Sequence, residues 1–454
     1  MKPLWIQDEQ PDDHILAFTV GNDRELDNLL ARYDIIGSVA HATMLGSTGI
    51  LQADESIMLV KELRRLYDMA CKGNLKVDAD VEDIHSQLEH MLTKRLGENG
   101  KRIHTGRSRN DQVLTDIRLY LRDQIKEITE LTNSLFSELI VLAKQYRHVL
   151  MPGYTHMQVA MPSSFGLWFS SYAESLTDDL TLLHAAYKVV NQNPLGSGAG
   201  YGSGFPLDRN LTTLLMGFEE PVVNSVYAQT TRGKVEKTLS FALSSLASTL
   251  GKMAGDICLY MGQNYGFFGF PDKFVTGSSI MPHKKNPDVF ELIRGRCNRL
   301  QSLPNEIALV TGNLPTGYHR DFQLLKEMLF PAIHELKQCM QMATFMLTHM
   351  TVREGITSDS IYNQMFSVEE VARRVNKDVP FREAYKQVAR EIKEGRFRPD
   401  RNIKHTHLGS IGNLALSQIT KKMNSRLKQF QFNKAESAIE KLMEPETYLN
   451  MGTD

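Results

Sequence analysis

Apolar residues recur every three or four positions over long stretches of this chain, the spacing of one face of an α-helix. Between Asp111 and Tyr146, the positions Leu114, Ile117, Leu121, Ile125, Ile128, Leu131, Leu135, Leu139 and Leu142 form one such stripe. No Pro or Gly interrupts it, so it predicts a single helix of roughly 50 Å at about 1.5 Å per residue. A second stripe runs through Leu239, Leu243, Leu246, Leu250, Met253, Ile257 and Tyr260. A third begins after Ser163 and passes Leu167, Phe169, Leu180, Leu183 and Tyr187. Two further helical segments follow Pro287 and Leu324; Pro304 and Pro331 interrupt them, and a kink is expected at each. Strand signals are scarce. The pattern predicts an all-α fold with a long central helix bundle. Helices of this length can bury one face within their own chain and another against a partner, which predicts a homo-oligomer. No repeat at a fixed period supports a solenoid instead.

The 454 residues are too many for one compact core. The Gly97-Glu98-Asn99-Gly100 turn and the polar stretch from Thr351 to Asp359 suggest three parts: an N-terminal helical domain over 1–104, the long-helix bundle over 105–352, and a small helical domain over 353–454. Shorter amphipathic segments, Ser367 to Val375 and Arg382 to Ile392, fall in the last. A formal net charge of -1 argues against a surface spread over the protein for nucleic acid. Cys71, Cys258, Cys297 and Cys339 form no CxxC or Cys/His ligand pattern and read as reduced thiols. Met1 to Gln10 is polar, unlike a signal peptide, and no apolar run is long enough to cross a bilayer. These features predict a cytoplasmic protein without a membrane partner.

Three segments carry candidate chemistry. In Gly277-Ser278-Ser279-Ile280-Met281-Pro282-His283-Lys284-Lys285-Asn286-Pro287, a loop leads onto a helix start. There, backbone N–H groups, the helix dipole and Lys284 favour an anion, such as a carbanion delocalised into a carboxylate. In His104-Thr105-Gly106-Arg107-Ser108-Arg109-Asn110-Asp111-Gln112, arginines crowd a Ser and an Asn before the longest helix, a set that can hold a carboxylate. In Gly153-Tyr154-Thr155-His156-Met157-Gln158, His156 can move a proton near neutral pH. Taken singly, each also fits a plainer reading: a solvated cap, a capped helix start, a structural histidine. The glycines from Gly196 to Gly204 give neither GxGxxG nor a P-loop, and read as a tight surface or interface turn. No HxxxH, HExxH or acidic calcium-loop spacing indicates a metal.

In this order and on this helical background, the three segments resemble the fumarase/aspartase superfamily over nearly the whole chain. Gly277 to Asn286 is similar to its GSSxMPxKxN loop. Asp34 to Ala42, His104 to Gln112 and Gly153 to Gln158 resemble the DIxGSxAHA, HTGRSRNDQ and GYTHxQ stretches of argininosuccinate lyases. Leu195 to Ala199, and Leu314-Pro315 with Tyr318, follow in the family's order. The resemblance implies a three-domain fold and a homotetramer whose active sites are each built by three subunits. It implies anti elimination of argininosuccinate to arginine and fumarate, with neither cofactor nor metal. On matching positions it implies Ser278 as the base, Lys284 and Asn286 as stabilisers of the carbanion, and His156 paired with Glu291 on the acid side. Thr19, Ser108, Arg109, Asn110 and Thr155 match substrate ligands, and Tyr318, Gln323 and Lys326 match contacts around the arginine portion.

The sequence departs from that pattern in places. Of the usual WGGRF opening only Leu4-Trp5 remains, and Thr19 stands where a serine is usual. Tyr227 and Thr231 replace family residues, and His319-Arg320 replaces Asn-Lys. His283 replaces a glutamine and is similar to adenylosuccinate lyases, which makes that enzyme the alternative. An inactive, crystallin-like scaffold is the other.

Overall fold

The computed structural model describes residues 12–78 and 81–444. Met1 to Gln10, with Leu4-Trp5, lie outside the described residues. Six helices open the fold: α1 (Asp13–Val20), α2 (Asp23–Asp27), α3 (Ala31–Ser47), α4 (Ala53–Cys71), α5 (Ile84–Leu96) and α6 (Glu98–Lys101). The longest helix follows: α7 (Arg109–Gln145), 37 residues with Ser108 as N-cap and Lys144 in its last turn. Eight of the nine expected stripe positions are fully buried, and Leu131 packs against the same core.

A hairpin of β1 (Leu150–Thr155) and β2 (Gln158–Ser164) leads into α8 (Phe165–Val190). After α9 (Arg209–Leu215) and α10 (Ser225–Thr230) come α11 (Lys234–Met261), α12 (Asp288–Leu300), α13 (Leu303–Thr311) and α14 (Leu324–Leu347). Helices α7, α8, α11 and α14 share one apolar core that also takes in α3, α4 and α5. Pro304 falls in the first turn of α13, where its missing N–H costs nothing, so it marks a new helix rather than a bend in α12. Pro331 instead lies inside the continuous α14, on an exposed position where water can serve the carbonyl it leaves unpaired.

Direction along the bundle is fixed by side-chain pairs. Tyr120 packs on Phe330, ring centroids 4.3 Å apart, and Lys337 Nζ meets Glu127 at 2.5 Å, so α7 and α14 run parallel. Trp168 and Tyr172, early in α8, both donate to Asp256 near the end of α11. The ends of α7, α11 and α14 therefore share one end of the bundle with the start of α8. The starts of α7 and α14 lie at the other.

After α14 come α15 (Ser367–Val375) and α16 (Phe381–Lys393), which close on a small core of their own with Val371, Ala384, Val388 and Phe397. α17 (Leu416–Leu427) packs on α8, and α18 (Phe432–Met443) on α3.

Candidate active site

The end of the bundle where α7 begins carries the carboxylate-binding candidates. Ser108 caps the helix: its Oγ accepts the Asn110 N–H at 3.2 Å, while its own N–H donates to Asp111 Oδ1 at 2.9 Å. This is a capping box, and it fixes the Ser108–Asn110 segment at the start of α7 with its first N–H groups satisfied by its own side chains. The Arg109 guanidinium meets Asp83 at 2.9 Å and Glu82 at 3.2 Å, and donates to Ser86 Oγ. Glu82 in turn meets Arg320 at 3.4 Å.

Arg320 and Gln323 reach back to the end of α1. Both donate to the Thr19 carbonyl, at 2.8 and 3.0 Å, and Gln323 also donates to the Val20 carbonyl at 2.9 Å. The Thr19 hydroxyl donates to the Ile15 carbonyl. Tyr318 packs edge-on against Phe322, with centroids 5.6 Å apart. Lys326 is buried, with its ammonium 2.6 Å from Asp27 and 2.7 Å from Asp23. Thr19, Ser108, Arg109, Asn110, Gln323 and Lys326 thus gather in one region, with Arg320 and Glu82 joining them. Burial first, and then Asp27, pushes the Asp23 carboxyl up to about 6 despite the ammonium beside it. Lys326→Met should therefore strand the buried Asp27 and the partly buried Asp23 and cost about 3–5 kcal/mol of stability, read as a lowered Tm.

Beneath this region lies a buried charge cluster. His85 Nδ1 is 3.0 Å from Asp34 and 3.5 Å from Asp116. Gln112 donates to Asp34 at 2.7 Å, and Arg107 reaches the cluster through Ser38. Burial alone would lower the His85 pKa, but Asp34, with Asp83 and Asp116, outweighs it and pushes the imidazole up to about 9. Asp116 is pushed well above the usual carboxylate range by burial and then by the Asp34 charge. Among the described residues, Asp34, His85 and Asp116 are the set close enough to share a metal ion. Through the His85–Asp34 and Gln112–Asp34 hydrogen bonds the cluster ties α3 and α5 to α7.

The opposite end of the bundle carries the proton-transfer candidates. His156 and Met157 form the two-residue tip of the hairpin, with Thr155 facing Gln158 across it. Both tip residues have positive φ, 52° and 61°, as this kind of turn requires. Neither is glycine, so the tip holds a backbone conformation that side chains disfavour, and it holds Thr155 and His156 exposed. Tyr154 anchors the hairpin to the end of α11, 5.7 Å from Tyr265 and 6.5 Å from Tyr260.

The Ser278 loop lies at the same end. Phe274 packs edge-on against Phe345 and at a tilt against His349 at the close of α14, and Thr276–Gly277 pairs antiparallel with Lys285–Asn286. Within the loop so closed, the N–H groups of Ile280 and Met281 donate to Ser278 Oγ at 3.3 and 3.1 Å. Two donors on one hydroxyl oxygen favour its charged, deprotonated form. Asn286 Nδ2 donates to Thr276 Oγ1 at 3.4 Å, and the Thr276 hydroxyl donates to Asp288 in the first turn of α12. Lys285 is held by Asp272, whereas Lys284 is exposed. Glu291, on an exposed position of α12, meets Arg294 at 3.9 Å. Among the described residues no hydrogen bond or ion pair joins His156 to Glu291.

One chain therefore holds its candidate residues in two separate places. The whole of α7, roughly 55 Å for 37 residues at about 1.5 Å each, stands between Ser108 and the hairpin. The 24 residues of α14, roughly 36 Å, stand between Gln323 and the Phe274 contact. The motif-based reading found both groups but missed Arg320 as a link, Glu82, Asp111 and the His85 cluster. Of these only Asp111 left a local signal, the Ser-x-x-Asp spacing of a capping box.

Comparison with known proteins gives the arrangement its context. Residues 11–302 match the model of a family described as lyase. The chain is 54% identical to the argininosuccinate lyase of Parabacteroides distasonis over 97% of this chain and 99% of that protein. It is 52% identical to that of Bacteroides thetaiotaomicron, over 97% and 99%, and 37% identical to that of Thermotoga neapolitana, over 85% and 97%. Among solved structures, an EDDS lyase in complex with formate superposes with a TM-score of 0.73 at 21% identity, over 96% of this chain and 94% of that one. A class II fumarase from Schistosoma mansoni does so at 0.68 and 16%, over 91% and 95%. The fold is thus that of the fumarase/aspartase superfamily, and the chain belongs within it to the argininosuccinate lyase family.

Proposed function

We propose that this protein cleaves argininosuccinate reversibly into arginine and fumarate, in the cytoplasm, at sites that three subunits of a homotetramer build together. The observation that carries the chemistry is the pair of N–H groups aimed at Ser278 Oγ, on a loop flanked by Lys284 and Asn286. A serine alkoxide so stabilised can remove a proton from the succinyl Cβ. The electron pair left behind delocalises into the adjacent carboxylate, where Lys284 and Asn286 meet the growing charge. It then returns to form the double bond as the Cα–N bond breaks, and the departing guanidino nitrogen takes a proton from the His156 side. Ser108, Arg109, Asn110 and Thr155 hold the substrate carboxylates, and Tyr318, Gln323 and Lys326 lie about the arginine portion. In that role, Lys326 would act through Asp23 and Asp27, which it already meets.

The shared site rests on the length of α7. A helix that keeps the carboxylate ligands tens of ångströms from the base lets them meet only between chains. Exposed apolar side chains along α11 to α14 support an assembly, among them Phe241, Leu292, Leu309 and Phe345. So does Ile280, 82% exposed on the Ser278 loop itself.

The reaction is tested by following fumarate absorbance from purified protein given argininosuccinate, with adenylosuccinate in parallel. Release from argininosuccinate is expected. Release from the nucleotide alone would overturn the substrate, and silence from folded protein in both would favour the inactive scaffold. Site sharing is tested by mixing subunits of Ser278→Ala and His156→Asn, each nearly inactive alone. Mixed tetramers should recover activity far above either parent, because some sites then draw both residues from unaltered chains. No recovery despite verified subunit exchange would show that Ser278 and His156 reach each site from one chain, and would overturn a site built by three subunits.

A further inference from the structure

The turn of glycines beginning at Gly196 is not explained by the chemistry above, yet it is bound to the segment that carries it. Asp111 is fully buried, and its two oxygens have different tasks. Oδ1 accepts the Ser108 N–H and completes the helix cap. Oδ2 accepts the N–H groups of Gly196 and Gly198, at 2.9 and 2.8 Å, from a turn more than eighty residues away in sequence. Gln229 fixes the same turn from behind, donating to Ser197 Oγ and the Gly198 carbonyl, both at 3.1 Å. Gly196 and Gly198 hold φ of 85° and 61°; a Cβ on Gly198 would lie 2.9 Å from the Gly202 carbonyl oxygen. The turn can therefore offer its N–H groups to Asp111 only as glycine.

A cap alone does not need this. A capping carboxylate usually sits in water, where it costs nothing to keep charged, and one oxygen suffices. Asp111 is instead buried at a cost, its carboxyl pushed up to about 6 by burial although three N–H groups and Arg107 oppose that shift. Arg209, packed against the same turn and donating to the Leu195 carbonyl, adds its charge nearby. The arrangement makes sense if the position of the turn relative to Ser108 and Asn110 matters.

We propose that Asp111 is a positioning residue for substrate binding, and that it joins the glycine turn at 195–202 to Ser108–Asn110 as one rigid wall of the site. This rests on the function proposed above. Asp111 touches no reacting atom; it sets where the Ser108, Arg109 and Asn110 side chains stand.

The test uses Asp111→Asn, which keeps the shape but turns an NH2 group against either Ser108 or the glycine N–H groups. Gly198→Ala disturbs the same contact from the other side and leaves Asp111 in place. Amide exchange at positions 196 and 198 should quicken in both. KM for argininosuccinate should rise on the order of tenfold, the scale of one misplaced charge-assisted contact, while kcat falls much less. Faster exchange with an unmoved KM in both variants, against an active wild type, would make Asp111 only a cap and overturn the proposal. A wild type that releases no fumarate from argininosuccinate would overturn this proposal together with the function it rests on. If Asp111→Asn does not fold, Gly198→Ala decides by the same two readings.

Discussion

Ser278→Ala should reduce fumarate release on the order of 10³-fold while leaving fold and assembly intact. The size follows from what the residue does: a positioned general base contributes about 10²–10⁴-fold. An ordinary serine hydroxyl is a weak base in water. Here the Ile280 and Met281 N–H groups already point at its oxygen, so the charged form is stabilised before substrate arrives. The loss should fall on kcat, because the hydroxyl makes its decisive interaction only as the proton moves. Ser278 is part of an exposed loop closed by two short strands, so removing one oxygen leaves the helix core untouched. Thermal unfolding of the variant should match the wild type. A rate near that of the wild type in a folded variant would exclude Ser278 as the base.

The parts of this molecule that sequence revealed are those whose cause is local. The stripe from Leu114 to Leu142 needs only a helical period, and α7 follows it over 37 residues. The loop around Ser278 and the hairpin tip at His156 are short, contiguous motifs, whereas, among the described residues, the pairing expected between His156 and Glu291 is not made within the chain. Distant pairings were not legible. Lys326 meets Asp23 and Asp27 from about three hundred positions away, and nothing near Lys326 announces either partner. His85 lies between Asp34 and Asp116, on three different helices or their approaches, and would read alone as one more polar residue in an amphipathic segment. Arg320 stood out as a departure from a pattern, yet its link between Glu82 and the Thr19 carbonyl depends on how α1 lies across the start of α14. Proline shows the same limit. Pro304 and Pro331 look alike in sequence, but one opens a helix and the other stands inside one, because position within the turn decides what a missing N–H costs.

Lys284→Met should cost on the order of 10²–10³-fold in kcat, about 3 kcal/mol, the loss found when one donor aimed at a developing oxyanion is removed. The two lysines of the loop make this a sharp comparison. They are adjacent and both exposed, but Lys285 is paired with Asp272, and no ion pair or hydrogen bond among the described residues holds the Lys284 ammonium. An ammonium without a protein partner on a loop that presents a base is available to the substrate; one already neutralised by a carboxylate is not. Lys285→Met removes the same formal charge and breaks an exposed pair of the kind worth about 0–1 kcal/mol. If the loop worked only through its overall positive charge, the two variants would lose activity alike. If Lys284 meets the carbanion as it forms, its variant alone should lose kcat, with KM much less affected, and raising the ionic strength should not equalise them. Equal and small losses in both would remove Lys284 from the charge-stabilising role and leave that work to Asn286 and the loop's N–H groups.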